Sequence, residues 1–404
     1  MNLGLYKKSW VLHHRAIAQS QLLNFHRPER LFANETEIEK QTRIKSWLTL
    51  CSADVYTSLI LGLPYAADGR TIPVTEIDHS ATSLLQYNLI QLSAKVIDRN
   101  QIGLSLSTFS TEEIEKDLHM ATKDLSESFW DSPAAFASGQ VTRQEYLEQL
   151  SAQLWFYQLL VLLHMPLMIH SVEDTQLERH RISCIDASRK LLGIYHTMRS
   201  DSHSAFSMVK IIDYQAFVCS ALLVLGILGY GGTGDQPMTK EKDRYLLGQT
   251  ITTLRQAAGT VNNPIASQAV QGLESLMFLD REGCGSRTDT LCELGGQARI
   301  VVPQIGTITI TPGEYLANSS RGCTPPAKPV PVFALSHNVF HGASSQVGHV
   351  PTLLSNVEFD SEQVDRIELG NNQHLELPSI DFDWSTAINP NFEDDWAWLN
   401  DLNY

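Results

Sequence analysis

Apolar side chains recur with a helical period from Ser9 to about Phe278. Spacings of three and four residues put them on one side of each predicted helix, as in helices that pack around a common core. Segments rich in Val, Ile and Thr, which favour strands, are scarce, and the main one spans 298–310. The pattern predicts an all-α fold. After residue 170, the predicted helices span roughly 177–198, 208–228, 240–258 and 263–279.

Two capping patterns and one proline mark the boundaries of the long helices in the middle of the chain. Ser110 with Glu113, and Thr142 with Glu145, both match the capping box, in which a hydroxyl and a carboxylate bind the free amides of the first turn. The helix after Thr142 is expected to run to Leu163. Pro166 then kinks or ends it, because proline lacks an amide hydrogen and its ring clashes with the preceding turn.

Two stretches, 154–169 and 216–230, are apolar enough to raise the question of a membrane span. The second has about fifteen nearly continuous apolar residues, whereas a spanning helix needs about 20. Gln158, His164 and Pro166 interrupt the first. Both stretches are therefore predicted to be buried core helices, and no membrane partner is expected.

Composition and charge narrow the classes of protein that the chain can belong to. Hydrophobic residues make up 43% of the chain, enough for a sizeable core. The net charge is −15. An acidic surface repels phosphate, so this chain alone is expected to bind nucleic acid poorly.

The sequence predicts no catalytic residue, bound cofactor or metal, and hence no enzyme. None of the six cysteines forms a Cys-x2-Cys pair, so zinc-ribbon and zinc-cluster spacings are missing. Gly229–Gly234 matches the G-x-G-x-x-G pattern, but the apolar run before it is too long for the strand that a dinucleotide site requires. His164, in an apolar context, is predicted to be a hydrogen-bonded core histidine.

The composition changes near residue 312, which predicts a boundary there. Residues 321–404 contain twelve acidic and three basic side chains, so residues 313–404 are expected to form a disordered acidic tail. Acids and large aromatics mix in the segment 379–404, which is typical of activation segments that fold on binding a partner. An inert soluble tail is the alternative. The predicted activation residues are Phe382, Trp384, Phe392, Trp396, Trp398 and Leu399.

One region carries a more specific signal. Trp10 to Ala18 forms an Ala-containing helix, and a second helix carries Arg43-x-x-x-Trp47 and Asp54 and leads into Ser-Leu-x-x-Gly62-x-Pro64. Together with later segments up to about residue 312, this order resembles the middle homology region of fungal zinc-cluster transcription factors. The resemblance assigns the family motif to five residues, which are Arg43, Trp47, Asp54, Gly62 and Pro64.

The resemblance implies a helical regulatory domain over residues 1–312, N-terminally incomplete, in a transcription regulator of the nucleus. It implies activation of RNA polymerase II genes of a metabolic or secondary-metabolite pathway, with coactivator or general transcription machinery as partners. A small-molecule effector and a homodimer partner are also implied. The family's zinc cluster has no counterpart in this sequence, so DNA and zinc are expected to bind only through an upstream segment.

The residues leave several alternatives open. Arg43 and Trp47, four residues apart, can touch on one helical face, whereas Asp54 reaches Arg43 only through bending or a tertiary contact. These motif residues are expected to hold the fold together, and direct ligand contact is the alternative. At the level of the whole chain, the alternatives are a regulator without DNA binding that titrates partners, a helical enzyme, and a membrane-associated helical protein.

Overall fold

The computed structural model describes residues 3–27, 35–77, 80–103, 107–171, 174–200, 206, 209–227, 237–260, 263–282, 298–302 and 306–310. Within these ranges the chain is overwhelmingly helical, which confirms the predicted all-α class. The α-helices are α1 (Leu3–Leu22), α2 (Glu37–Leu61), α3 (Ala81–Gln101), α4 (Thr108–Thr122), α5 (Glu127–Trp130), α6 (Ser132–Ala137), α7 (Arg143–His170), α8 (Glu178–Ser200), α9 (Ile211–Ile227), α10 (Pro237–Thr260) and α11 (Pro264–Glu282). Two short 3-10 helices span Val74–Glu76 and Thr175–Leu177.

The two most apolar helices, α7 and α9, lie at the centre of the fold. Helix α7 packs against α8, α3 and α4, and α9 packs against α8, α10 and α11. Every residue of α9 is buried. By length and composition, α7 is the one described helix that could cross a membrane, and 83% of its most apolar window is buried inside the protein. Both predicted apolar stretches are thus core helices, as far as the described residues extend.

The capping prediction is confirmed for α7 and wrong for α4. At the start of α7, the Thr142 hydroxyl accepts from the amide of Glu145 at 3.2 Å, and the Thr142 amide donates to the Glu145 carboxylate at 2.7 Å. Helix α4 starts earlier than predicted, because the Ser107 hydroxyl accepts from the amide of Ser110. Ser110 is therefore inside the first turn, and Ser107 is the cap.

The predicted end of α7 at Leu163 is wrong, because Pro166 lies inside the helix and does not end it. The helix continues to His170, and Leu167, Met168 and Ile169 in its last turn are buried. Proline removes one backbone hydrogen bond and strains the turn before it. Packing of the last turn against the core offsets that cost, so tertiary contacts decide the boundary here.

The strand-favouring stretch forms a hairpin. Strand β1 (Ala298–Val302) pairs antiparallel with β2 (Gly306–Ile310), with Ala298 opposite Ile310 and Val302 opposite Gly306. Helices α8 to α11 agree with the predicted spans within a few residues. The predicted boundary at residue 312, the acidic tail and Gly229–Gly234 lie outside the described residues.

Candidate functional site at the junction of α1 and α2

Helices α1 and α2 pack against each other, and the family-motif residues lie on α2 and directly after it. Thr36 and Glu39 form a capping box at the start of α2, which fixes where the helix begins. Gly62 ends it with a left-handed backbone, φ 66°, and donates its amide to the carbonyl of Ser58. Only glycine adopts that conformation without steric cost, so the end of α2 follows directly from the sequence.

Arg43 connects α2 to the segment before it. Its guanidinium donates to both carboxylate oxygens of Glu35, at 2.8 and 3.0 Å, and to the backbone carbonyl of Arg27 at 3.1 Å. Both side chains of this ion pair are buried. Sequence reasoning missed Glu35 as the partner, although an acid directly before the cap Thr36 was a usable signal. A bidentate Arg–carboxylate pair holds the approach to α2 in one orientation.

Trp47 is a core residue of α2. It is buried, and the ring of His26 lies 5.9 Å from it in a tilted arrangement. His26 follows the end of α1, so this contact fixes the chain between the two helices.

Asp54 lies in the second half of α2, at the contact with α1, and is fully buried. One carboxylate oxygen accepts from the amides of Ala66 and Ala67, at 2.6 and 3.4 Å. The other lies 3.2 Å from Nε2 of His14. Burial raises the pKa of Asp54, while the two amides, His14 and His13 oppose the increase. The tertiary partners of Asp54 are therefore α1 and the loop after α2, and Arg43 binds elsewhere.

Pro64 completes the junction through its backbone. Its carbonyl accepts from Nε1 of Trp10 at 3.0 Å and from the hydroxyl of Ser58 at 3.1 Å. The same Trp10 group also lies 3.0 Å from the Ser58 hydroxyl, and its ring lies 4.0 Å from that of His14. The Ser-Leu-x-x-Gly-x-Pro motif therefore forms a turn that contacts α1. The contact is made by the indole of Trp10, which reaches both the Ser58 hydroxyl and the Pro64 carbonyl.

The junction offers little reactivity. Burial raises the pKa of the nearby Cys51 thiol to about 12, so this cysteine is a poor nucleophile. Burial also lowers the pKa of His13. In the part of the chain that the structure describes, no group of three His, Cys, Asp or Glu side chains could hold a metal ion. The arrangement positions two helices, because Arg43 binds Glu35 and Asp54 binds two backbone amides. Oδ1 of Asp54 and Nε1 of Trp47 are buried without a hydrogen bond.

A second buried polar cluster joins α8, α9 and α11, and sequence reasoning missed it. The carboxylate of Asp213 accepts from the Arg199 guanidinium at 3.0 and 2.7 Å, from the Tyr195 hydroxyl at 3.0 Å and from the Asn263 amide at 2.7 Å. Asn263 also accepts from the amide of Ala266, which caps α11. An acid at the start of the very apolar α9 was the only signal in the sequence.

A third cluster contains two histidines, between α4, α7 and α8. Nδ1 of His164 lies 3.0 Å from Nδ1 of His180, and Nε2 of His164 lies 3.6 Å from the carboxylate of Glu115. Both rings are buried, which confirms the prediction for His164. Burial, with His164 and Arg179 nearby, lowers the pKa of His180 to about 4. His164 lowers the pKa of Glu115.

The predicted activation residues, from Phe382 to Leu399, lie outside the described residues. Their role remains a prediction.

Comparison with known proteins gives the chain several fungal relatives. It is 25% identical to the dehydrocurvularin biosynthesis regulator of Alternaria cinerariae, over 76% of this chain and 41% of that protein. It is 24% identical to transcription factor sdnS of Sordaria araneosa, over 80% of the chain and 44% of the relative. It is 26% identical to the dehydrocurvularin biosynthesis regulator of Aspergillus terreus, over 76% and 43% respectively.

These relatives support the resemblance to fungal transcription factors. The chain spans less than half the length of each of them. All three are named as regulators and none as an enzyme, in agreement with the prediction that this chain is not an enzyme. No family model matches the chain, and no solved structure matches it. The narrower assignment to the middle homology region stays a prediction.

Proposed function

We propose that the chain is the helical regulatory region of a fungal transcription regulator, which acts in the nucleus on the genes of a biosynthetic pathway. One observation carries the proposal. Over 76–80% of its length the chain is similar to proteins named as transcription factors or biosynthesis regulators. Two of them are named for the biosynthesis of one small molecule, which favours a secondary-metabolite pathway here too.

Within this proposal, the segment 379–404 activates transcription. Its three tryptophans, Trp384, Trp396 and Trp398, stand among acidic residues. Such rings stay in water until the groove of a partner accepts them, and the acids keep the segment soluble until then. The partner in this role is coactivator or general transcription machinery.

DNA contact is assigned to a segment outside these 404 residues. The net charge of −15 disfavours an approach to phosphates, and the sequence has no Cys-x2-Cys pair for a zinc cluster. Zinc would bind only in that other segment. A small-molecule effector and a homodimer partner remain predictions, and so does the lack of a membrane partner.

The family-motif residues are proposed to hold the helical body together. The Arg43 guanidinium binds Glu35, one Asp54 oxygen binds the amides after α2, and the Pro64 backbone carbonyl binds Trp10. Each of these contacts joins neighbouring segments of the helical body. This arrangement favours a structural role over ligand contact.

The proposed activation role is tested by fusing residues 313–404 to an unrelated DNA-binding domain and measuring a reporter gene. We expect strong expression, and its loss when Trp384, Trp396 and Trp398 are replaced by Ala. The matched control replaces three apolar residues outside the segment, Leu353, Leu354 and Val357, and should leave expression unchanged. A silent fusion, or one insensitive to the tryptophan changes, would remove the activator claim.

A further inference from the structure

The outward face of α1 is aliphatic where a solvent-facing surface would normally be polar. Three large aliphatic side chains are exposed there, with 40%, 60% and 83% of their surface accessible for Val11, Leu12 and Leu22. They lie on the side of α1 away from the buried Ile17, and Leu23, in the turn directly after the helix, is also exposed. Exposed aliphatic side chains collected on one helix face are typical of an interaction surface.

The same face is basic, in a chain that is otherwise acidic. Lys7 and Arg15 are exposed on α1. The first 28 residues contain no Asp or Glu, although the whole chain has 45 of them. The face therefore presents positive charge beside aliphatic side chains, and it selects a partner that is acidic and apolar together.

We propose that the outward face of α1 is the docking surface for the chain's own acidic-aromatic segment, residues 379–404. That segment has the complementary composition. Phe392, Trp396 and Leu399 share one face if the segment becomes helical, with Glu393 to Asp395 beside them. The rings would pack on the aliphatic side chains of α1, and the carboxylates would face its basic residues.

The length of the chain permits this contact. Between the hairpin and the segment there are residues 311–378, which reach about 220 Å at full extension. A helical body of this size has a radius of gyration of about 20 Å. A tethered partner experiences an effective concentration in the millimolar range, so an intrinsic Kd of about 1 mM would half-occupy the face. A small contact surface is therefore sufficient for binding between two segments of the same chain.

The contact would compete with the partner proposed above, because the same rings cannot be buried in two places. The inference itself rests on the composition of the segment and of α1, and it stands whether or not the segment activates transcription. A failed reporter experiment and a failed docking experiment are therefore distinguishable.

The test uses the full chain with a photo-reactive phenylalanine analogue in place of Gln19, an exposed residue of the α1 face. After illumination, mass spectrometry identifies the cross-linked peptides. We expect cross-links within one chain to peptides of 379–404. The matched site is Tyr245, an exposed residue of α10, where such cross-links should be at least fivefold weaker.

Charge reversal on the face gives the second arm. The double variant Lys7→Glu with Arg15→Glu should lower the cross-link yield from Gln19 about fivefold or more. A single exposed ion pair contributes little, but the two substitutions replace attraction to the acidic segment by repulsion. The control Lys116→Glu with Lys190→Glu makes the same change in net charge on other exposed positions. The control variant should leave the cross-link yield unchanged. The two double variants should have equal helical circular dichroism, which shows that both are folded.

Several results would overturn the proposal. Cross-links from Gln19 that avoid 379–404 would do so, and so would a yield that does not respond to the charge reversal. A mixture of isotopically heavy and light chains identifies cross-links between two copies, which would make the face a dimer contact instead. Cross-links to nucleic acid would likewise assign it to another partner.

Discussion

The guanidinium of Arg99, near the end of α3, donates a hydrogen bond of 3.2 Å to the backbone carbonyl of Leu163 in α7. Leu163 lies in the turn that precedes Pro166. The same Arg99 nitrogen donates to the hydroxyl of Thr111 in α4 at 2.8 Å. One buried side chain therefore connects three helices next to the proline of α7.

Replacing Arg99 by Met is expected to lower the free energy of unfolding by about 1–2 kcal/mol, because two buried hydrogen bonds across helices are lost. The loss is limited, since burial already lowers the pKa of Arg99 to about 10 and makes its charge costly. Urea unfolding followed by circular dichroism measures the change. A stability equal to that of the wild type would show that the contacts contribute nothing net.

Replacing Pro166 by Ala is expected to stabilise the protein by about 1 kcal/mol or more, because α7 already continues past this position and alanine restores the missing amide. The same urea experiment measures it. The carbonyl that the proline leaves without its helical partner is that of Leu162, whereas Arg99 binds that of Leu163. The Arg99→Met change should therefore cost about the same in the Pro166→Ala background, and clearly unequal costs would show that the two features are coupled.

The ion pair of Arg43 with Glu35 allows the structural role of the family motif to be measured. Arg43→Met should destabilise the protein by about 3 kcal/mol, because it leaves a buried carboxylate without its partner. Once Glu35→Gln has removed that charge, the same substitution should cost clearly less. A double-mutant cycle on unfolding free energies provides the comparison. Additive effects would contradict a direct coupling between the two side chains.

Asp213 offers a test of the cluster between α8, α9 and α11. Asp213→Asn should cost about 3–5 kcal/mol, since it leaves the buried Arg199 without its counter-charge. The matched control is Asp186→Asn, which breaks the pair of an exposed Asp186 with Arg189 and should cost about 1 kcal/mol or less, because Arg189 keeps its pair with Asp243. The melting temperatures of the two variants, measured by thermal unfolding, are compared. Similar melting temperatures would contradict a central role for Asp213.

The histidine cluster predicts a pH dependence with a defined sign. His180 has a folded-state pKa of about 4, below its ordinary value of 6.5, so the unfolded chain binds the proton more readily. Its contribution to stability is complete above pH 6.5 and is lost as the pH falls toward 4. The variant His180→Gln should therefore show a smaller decrease in unfolding free energy over this range. An unchanged pH profile would mean that other groups dominate it.

The sequence alone determined the features that arise within a few residues of chain. The apolar period predicted α8 to α11, the Thr142 capping box was correct to the residue, and the Val, Ile and Thr stretch became the hairpin. Each depends on local hydrogen bonds or on one helical face. Gly62 belongs to the same class, because its left-handed turn is a property of glycine itself.

The tertiary structure decided what depends on residues far apart in the chain. Helix α7 passes Pro166 because buried packing outweighs a local penalty that the sequence signals correctly. Arg43 binds Glu35 because the segment before α2 lies against the start of that helix. Asp54 binds the amides after α2 because the loop that follows the helix folds back onto it. Burial lowers the pKa of His180 and raises that of Asp54, and burial exists only once the helices have assembled around them.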